Sequence, residues 1–264
     1  MFSIIQITIK GIFRDRIFQG IMALAVLFLL IPSAASLSMR QVTELSITLS
    51  LSIISFILLL LAIFLGATST WKDIERRYTF SVLSLPLSRT TYLVGRFCGI
   101  ALFLLITALF LGTVAMLVIK VSSAIYPPTR PLLWYAIVVT IVFDALKYIL
   151  LVAVAMLLAT VSTSFFLPIF GAVSAFLAGT ITQQVFDYLQ SPSAQKAVSA
   201  TVRNAAQALY YLLPNLSSFD LKVNAIYAIP LNLSGLLWTV LYFAVYTGIL
   251  LAIGAILFER REMK

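Results

Sequence analysis

The chain contains no histidine and a single cysteine, Cys98, among its 264 residues. Zinc and copper centres draw most of their ligands from these two residue types, so a metal site of that kind is not expected. One cysteine also excludes an internal disulfide. A nucleophile activated by a neighbouring His is excluded as well. We therefore expect a chain that is not an enzyme and that binds no metal ion or cofactor of its own.

Charged side chains are also scarce. Asp, Glu, Lys and Arg make up 10% of the chain, whereas they make up about a quarter of an ordinary soluble domain. Hydrophobic residues make up 62%, and the mean hydropathy is +1.08. This composition is typical of a multi-pass membrane protein. The net charge of +9 is then expected to face anionic membrane lipid and not nucleic acid.

Six apolar runs are long enough to cross a bilayer, for which a helix needs about 20 residues. They lie near 17–37, 47–70, 97–119, 133–160, 165–181 and 233–258. We predict an all-α fold in which residues 1–264 form a single transmembrane domain with six membrane-spanning helices. Residues 2–13 carry apolar side chains near one face, which predicts an interfacial helix before the first span. Residues 193–213 predict a helix on the outer side before the sixth span.

The distribution of basic residues predicts the orientation. With both termini in the cytoplasm, eleven Lys and Arg residues lie inside and six lie outside, as the positive-inside rule requires. We expect a protein of the cytoplasmic membrane with both termini cytoplasmic. The inside set is Lys10, Arg14, Arg16, Lys72, Arg76, Arg77, Arg89, Arg96, Arg260, Arg261 and Lys264.

The segment 71–99, with the sequence WKDIERRYTFSVLSLPLSRTTYLVGRFCG, lies between the second and third predicted spans. Residues 74–85 have an amphipathic pattern that predicts a helix, and Pro86 ends it. Arg89 is expected to cap carbonyl groups at a helix C-terminus. A simpler interpretation is a solvated loop on the lipid surface. The residues expected to contact a soluble partner are Asp73, Glu75, Arg76, Arg77, Phe80, Leu83, Pro86 and Arg89.

This segment resembles the coupling region of type-2 ABC exporter permeases. The family pattern is an acidic residue, a Thr, a Leu-rich turn, Pro-x-Ser-Arg, and a Gly followed by a basic residue. The residues of this chain that resemble the pattern are Glu75, Thr79, the run from Pro86 to Arg89, and Gly95-Arg96. Tyr78 departs from the pattern, since many relatives have Gly there. Three further segments resemble the family: Lys10 with Arg14-Asp15-Arg16, Leu213-Pro214-Asn215-Leu216, and Phe258-Glu259-Arg260.

The resemblance implies a permease subunit that exports a substrate of unknown identity. It implies a cytoplasmic coupling helix, a second permease subunit in a homodimer or heterodimer, and a separate ABC ATPase that binds ATP and Mg²⁺. The chain itself has no Gly-x-x-x-x-Gly-Lys-Ser/Thr phosphate loop, so ATP hydrolysis is expected in the partner. Two alternatives stay open. One is an ion-coupled secondary transporter, and the other is a non-transporting membrane scaffold that recruits a soluble protein.

Asp144 and Lys147 are charged residues inside the fourth predicted span. They lie three residues apart, so they share one helix face and can form an ion pair. Charges within a bilayer are costly and usually face a bundle interior or water. The functional interpretation is a gating pair or a polar point on the translocation route. The structural interpretation is an ion pair that fixes helix packing, or a Lys147 side chain that extends to the inner membrane–water interface.

The orientation is testable by cysteine labelling in intact cells. In a Cys98→Ala background, Ser84→Cys should resist a membrane-impermeant thiol reagent, because the basic segment stays in the cytoplasm. Ser193→Cys should react with the reagent, because it lies on the outer side. The opposite pattern, with labelling at position 84 and none at 193, would contradict the predicted orientation.

Overall fold

A computed structural model describes residues 1–28, 41–75, 88–128, 130–162, 164, 166–191 and 199–260 of the chain. These residues form nine α-helices and one short 3-10 helix, and no strand. The helices are α1 Phe2–Arg14, α2 Arg16–Phe28, α3 Val42–Glu75, α4 Arg89–Ile125, α5 Trp134–Val161, α6 Phe166–Gln190, α7 Ala200–Leu212, α8 Lys222–Tyr227 and α9 Leu233–Arg260. The 3-10 helix is Ser217–Phe219.

Five of the described helices, α3 to α6 and α9, are long and apolar enough to cross a membrane. They correspond to the second to sixth predicted spans, so the all-α membrane architecture is confirmed in that coarse form. For the first predicted span, the structure describes only its beginning in α2, and residues 29–40 lie outside the described part of the chain. Four of these five helices are longer than the predicted apolar runs, and α5 has the same length as its run. The clearest case is α6, which continues to Gln190 where the prediction ended near 181.

Helix α5 lies at the centre of the bundle. In its most apolar window, 72% of the residues are buried, compared with 22% in α6 and 17% in α9. Helices α3, α4, α6 and α9 all pack against it. Two glycines allow the close approach: a Cβ added at Gly66 of α3 would lie 2.8 Å from the Ala155 Cβ, and one at Gly112 of α4 would lie 2.9 Å from Ile141. Small residues at such contacts are how membrane helices gain packing energy.

The N-terminal helix α1 packs along the first half of α4. Its buried face consists of Ile4, Thr8 and Ile12, which recur every four residues. Ile4 lies against Gly95 and Thr8 against Gly99, where an added Cβ would be 2.8 Å from the Thr8 Cβ. The predicted interfacial helix therefore has a defined partner in the protein, namely the glycine face of α4.

The bundle has two chemically different ends. We call the end where α4 begins and α9 finishes the basic end, because Arg89, Arg96 and Arg260 lie there. The opposite end, where α5 and α9 begin, is the aromatic end and carries Trp134 and Trp238.

At the aromatic end, the chain between α7 and α8 folds back into the bundle. The Leu216 N–H donates a hydrogen bond to the Gly179 carbonyl of α6 at 3.0 Å. Leu216 and Phe219 are fully buried and pack with Phe143 and Leu150 of α5. Gly179 is required at this crossing, because a Cβ there would collide with a backbone oxygen of this returning segment. The segment before α9 is therefore part of the core.

The glycine contact between α1 and α4 is testable by overpacking. Gly99→Ala should destabilise the protein by about 1–3 kcal/mol, because the new methyl group meets Thr8. The thermal unfolding midpoint in detergent, followed by circular dichroism, should fall. Gly248→Ala is the matched control, since an added Cβ on that α9 residue meets nothing within 4 Å. Equal midpoints for the two variants would contradict the packing of α1 on α4.

Candidate functional site

The structure describes the two flanks of the segment that resembles a coupling region. Helix α3 continues without a break through Glu75, so Asp73 and Glu75 belong to its last turn, although the predicted separate helix began at 74. Residues 76–87 lie outside the described part of the chain, and they include Arg76, Arg77, Phe80, Leu83 and Pro86. The coupling helix itself stays a prediction. The chain is described again from Ser88.

Ser88 begins α4 as an N-terminal cap. Its Oγ accepts a hydrogen bond from the Thr91 N–H at 3.1 Å. Such a cap satisfies one of the free N–H groups in the first helical turn, typically worth about 1 kcal/mol. The Ser of the Pro-x-Ser-Arg motif thus has a local structural role, which is to fix where the third predicted span starts.

Arg89 joins the start of α4 to the end of α9. Its Nη1 donates hydrogen bonds to the Phe258 carbonyl at 3.2 Å and to the Glu259 carbonyl at 3.1 Å. Carbonyl groups in the last turn of a helix lack intrahelical partners and attract cations. Arg89 was expected to cap a helix C-terminus, and the structure shows it on α9, which the sequence did not suggest as its partner.

Two further contacts reinforce this connection. The Thr90 hydroxyl donates to the Glu259 carboxylate at 2.5 Å. The rings of Tyr92 and Phe258 stack with centroids 6.4 Å apart, and both side chains are buried. We call the contacts of Arg89, Thr90 and Tyr92 with Phe258 and Glu259 the α4–α9 junction.

Of the junction residues, only Arg89 had been singled out from the sequence as a site residue. The other four were missed because the two halves of the junction lie about 169 residues apart in the chain. The family-like ending of the sequence at Phe258-Glu259 was the one available signal.

The structure brings Asp144 and Lys147 together at the centre of the bundle. The Lys147 Nζ lies 3.4 Å from the Asp144 Oδ1, and the two side chains are 5% and 1% exposed. The second carboxylate oxygen, Oδ2, is buried and has no hydrogen-bond partner among the described residues. The Lys147 ammonium also lies 5.0 Å from the centre of the Tyr148 ring.

This ion pair belongs to a small polar cluster that links three parts of the fold. The Tyr148 hydroxyl and the Ser55 hydroxyl of α3 form a hydrogen bond of 2.6 Å. One helical turn before Asp144, the Thr140 hydroxyl of α5 donates a hydrogen bond to the Leu221 carbonyl of the returning segment at 3.2 Å. The cluster therefore lies where α3, α5 and the returning segment meet, which fits both a structural role and a role in a conformational change.

The chain matches no protein-family model and no curated protein. Its function is therefore inferred from these contacts and from the sequence.

The role of the central pair can be tested by removing its charges singly and together. Asp144→Asn and Lys147→Met should each lower the yield of folded protein, because a lone buried charge costs about 3–5 kcal/mol. The double variant should recover most of the yield, because it leaves no unpaired charge. Fluorescence-detected size-exclusion chromatography measures the folded fraction. A double variant no better folded than the worse single variant would contradict a structural ion pair.

Proposed function

We propose that this chain is the transmembrane permease subunit of an ATP-driven ABC exporter in the cytoplasmic membrane. In this proposal the protein has six spans, with α2 opening the first, and both termini are cytoplasmic. The observation that carries the proposal is the α4–α9 junction. It begins immediately after the segment 76–87, which has the composition and the sequence resemblance of a coupling helix.

The junction gives a physical route for force transfer. A soluble ATPase that displaces the segment 76–87 would move α4 at its first turn. Arg89 and Thr90 hydrogen-bond to the last turn of α9, so that helix would move as well. Helix α1 would follow, because Ile4 and Thr8 pack on Gly95 and Gly99. One contact with the partner would thus reorient three helices together.

The orientation of the proposal rests on charge. In the proposed orientation, eleven of the chain's 18 Lys and Arg residues belong to the N-terminal segment, the segment 71–99 and the end of the chain. The positive-inside rule places such segments in the cytoplasm. Cytoplasmic ATP and Mg²⁺ would then be available to an ATPase bound there.

Two permease subunits are proposed to act together. Six helices are too few to enclose a wide pathway, and the described helices pack around a filled centre in which α5 is largely buried. A substrate would therefore pass at or near the interface between two such subunits, identical or different. The two ATPases would close when they bind ATP, and this closure would open the interface alternately to the two sides of the membrane.

An ion-coupled secondary transporter is the second candidate, and the buried Asp144 favours it. One oxygen of that carboxylate has no protein partner among the described residues, which is the arrangement expected of a site that takes up a proton or a small cation. In that case transport would follow an ion gradient and would need no ATPase. The junction at the basic end would then be structural only.

The coupling role is tested by Leu83→Asp. If 74–85 docks on an ATPase, a charge in that apolar contact should cost several kcal/mol and lower the affinity about a thousandfold. Purification of the tagged chain from its native membrane should then recover little ATPase polypeptide, and the eluate should hydrolyse little ATP. The wild-type chain should retain both.

Leu212→Asp is the matched control for this experiment. Leu212 ends α7 at the aromatic end and is 73% exposed, so its substitution should leave the ATPase bound. Normal ATPase recovery and turnover with Leu83→Asp would mean that the segment is a lipid-facing linker, and the proposed coupling would be wrong.

A further inference from the structure

A groove of about 400 Å³ opens at the aromatic end between α7, α9 and the segment that joins α7 to α8. Rings form most of its wall. Trp238, Tyr242 and Tyr246 recur every four residues, so they lie along one face of α9. Tyr210 and Tyr211 complete the wall from the end of α7. Tyr211 and Trp238 are 70% and 68% exposed, so their ring faces are open.

Most hydroxyl protons in the groove are already used within the protein. Tyr210 donates to the Gln183 Oε1 at 3.0 Å, and Tyr246 donates to the Leu212 carbonyl at 2.8 Å. The smaller hydroxyls of the wall behave in the same way: Ser218 and Thr239 donate to the carbonyls of Asn215 and Gly235. The groove therefore offers a ligand mainly ring faces and oxygen lone pairs.

These groups attract positive charge. An aromatic ring has a negative face, and a cation within about 6 Å of its centre is stabilised. None of the described residues that line the groove carries a charge. A cation would therefore meet several ring faces and no competing ammonium or guanidinium group. An anion would find few donors there.

Two other features of the aromatic end support this assignment. On the same end of the bundle, the Arg130 guanidinium lies 4.9 Å from the centre of the Tyr227 ring, so a ring there already holds a cation. A second groove at this end is lined by Trp134 but also by Lys120. That ammonium would repel a second cation, so the Trp134 groove provides a natural contrast.

We propose that the Trp238 groove binds an organic ammonium group with apolar substituents, such as a trimethylammonium. The methyl groups would contact the rings, and the charge would face their π-systems. The source of this group is either the choline headgroup of a membrane lipid or a soluble amphipathic amine. Binding at this groove requires no ATPase, so its test is independent of the proposed exporter function.

Binding can be measured with the full-length chain in nanodiscs of phosphatidylglycerol, which has no ammonium group. Radiolabelled choline is the cationic probe, and 3,3-dimethylbutan-1-ol is its neutral analogue of the same shape. We expect saturable choline binding that the neutral analogue does not displace. Trp238→Leu and Tyr211→Leu should each weaken the affinity about fivefold, since each removes one open ring face.

The controls separate ring chemistry from folding. The Tyr211 and Trp238 side chains are mostly exposed, and neither makes a hydrogen bond to another described residue, so both variants should keep the thermal midpoint of the wild type. Trp238→Phe should recover most of the affinity because it restores a ring. Trp134→Leu should leave choline binding unchanged. Phosphatidylcholine in the disc should compete with the probe if the occupant is a lipid headgroup, and should not compete if it is a soluble amine.

Either result with phosphatidylcholine supports an ammonium site and identifies its source. Three results would overturn the proposal. They are no saturable choline binding, equal displacement by the neutral analogue, and unchanged affinity in both leucine variants.

Discussion

The packing of α5 against its neighbours is the interaction on which the rest of the bundle depends. In a bilayer, lipid tails are as apolar as leucine, so helices associate mainly through close contact and interhelical hydrogen bonds. Gly66 and Gly112 allow α3 and α4 to approach α5 closely, and Ser55 bonds to Tyr148 across the same interface. This enclosure keeps Asp144 and Lys147 away from lipid, because both side chains are buried in the bundle and each faces the other.

The two ends of the bundle are held together by different contacts. At the basic end, Arg89 at the start of α4 donates hydrogen bonds to two carbonyl groups in the last turn of α9. At the aromatic end, the returning segment fills the space between α5, α6 and α9 with Leu216 and Phe219.

The sequence predicted the features that depend on length and composition. Five of the six apolar runs appear as long helices because about 20 apolar residues in a row have few other stable arrangements in a membrane protein. The pairing of Asp144 with Lys147 was also predictable, since helical spacing alone brings residues three apart together. The helix ends were less predictable. Helix α6 continues past its apolar run, because polar residues such as Gln183 and Asp187 bond to each other and can extend it.

Other features depend on which helices pack against each other, and these contacts could not be inferred by inspecting a single sequence. Gly95 and Gly99 were visible as small residues, but nothing indicated that α1 would be their partner. Asn215 resembles a family motif in sequence, yet its contact with Gln183 joins positions 32 residues apart. The contact of Thr90 with Glu259 could not be predicted for the same reason. The aromatic groove was not predicted either, because its rings come from two separate helices.

We propose that this chain works as one part of an ATP-driven assembly. Native mass spectrometry of the complex, released intact from its own membrane, tests that claim most directly. The account predicts an assembly that contains two permease subunits, at least one of them this 29.1 kDa chain, together with a polypeptide that carries a nucleotide-binding phosphate loop. A spectrum that shows this chain alone or only as a homodimer, with no nucleotide-binding subunit under conditions that preserve known membrane complexes, would contradict it.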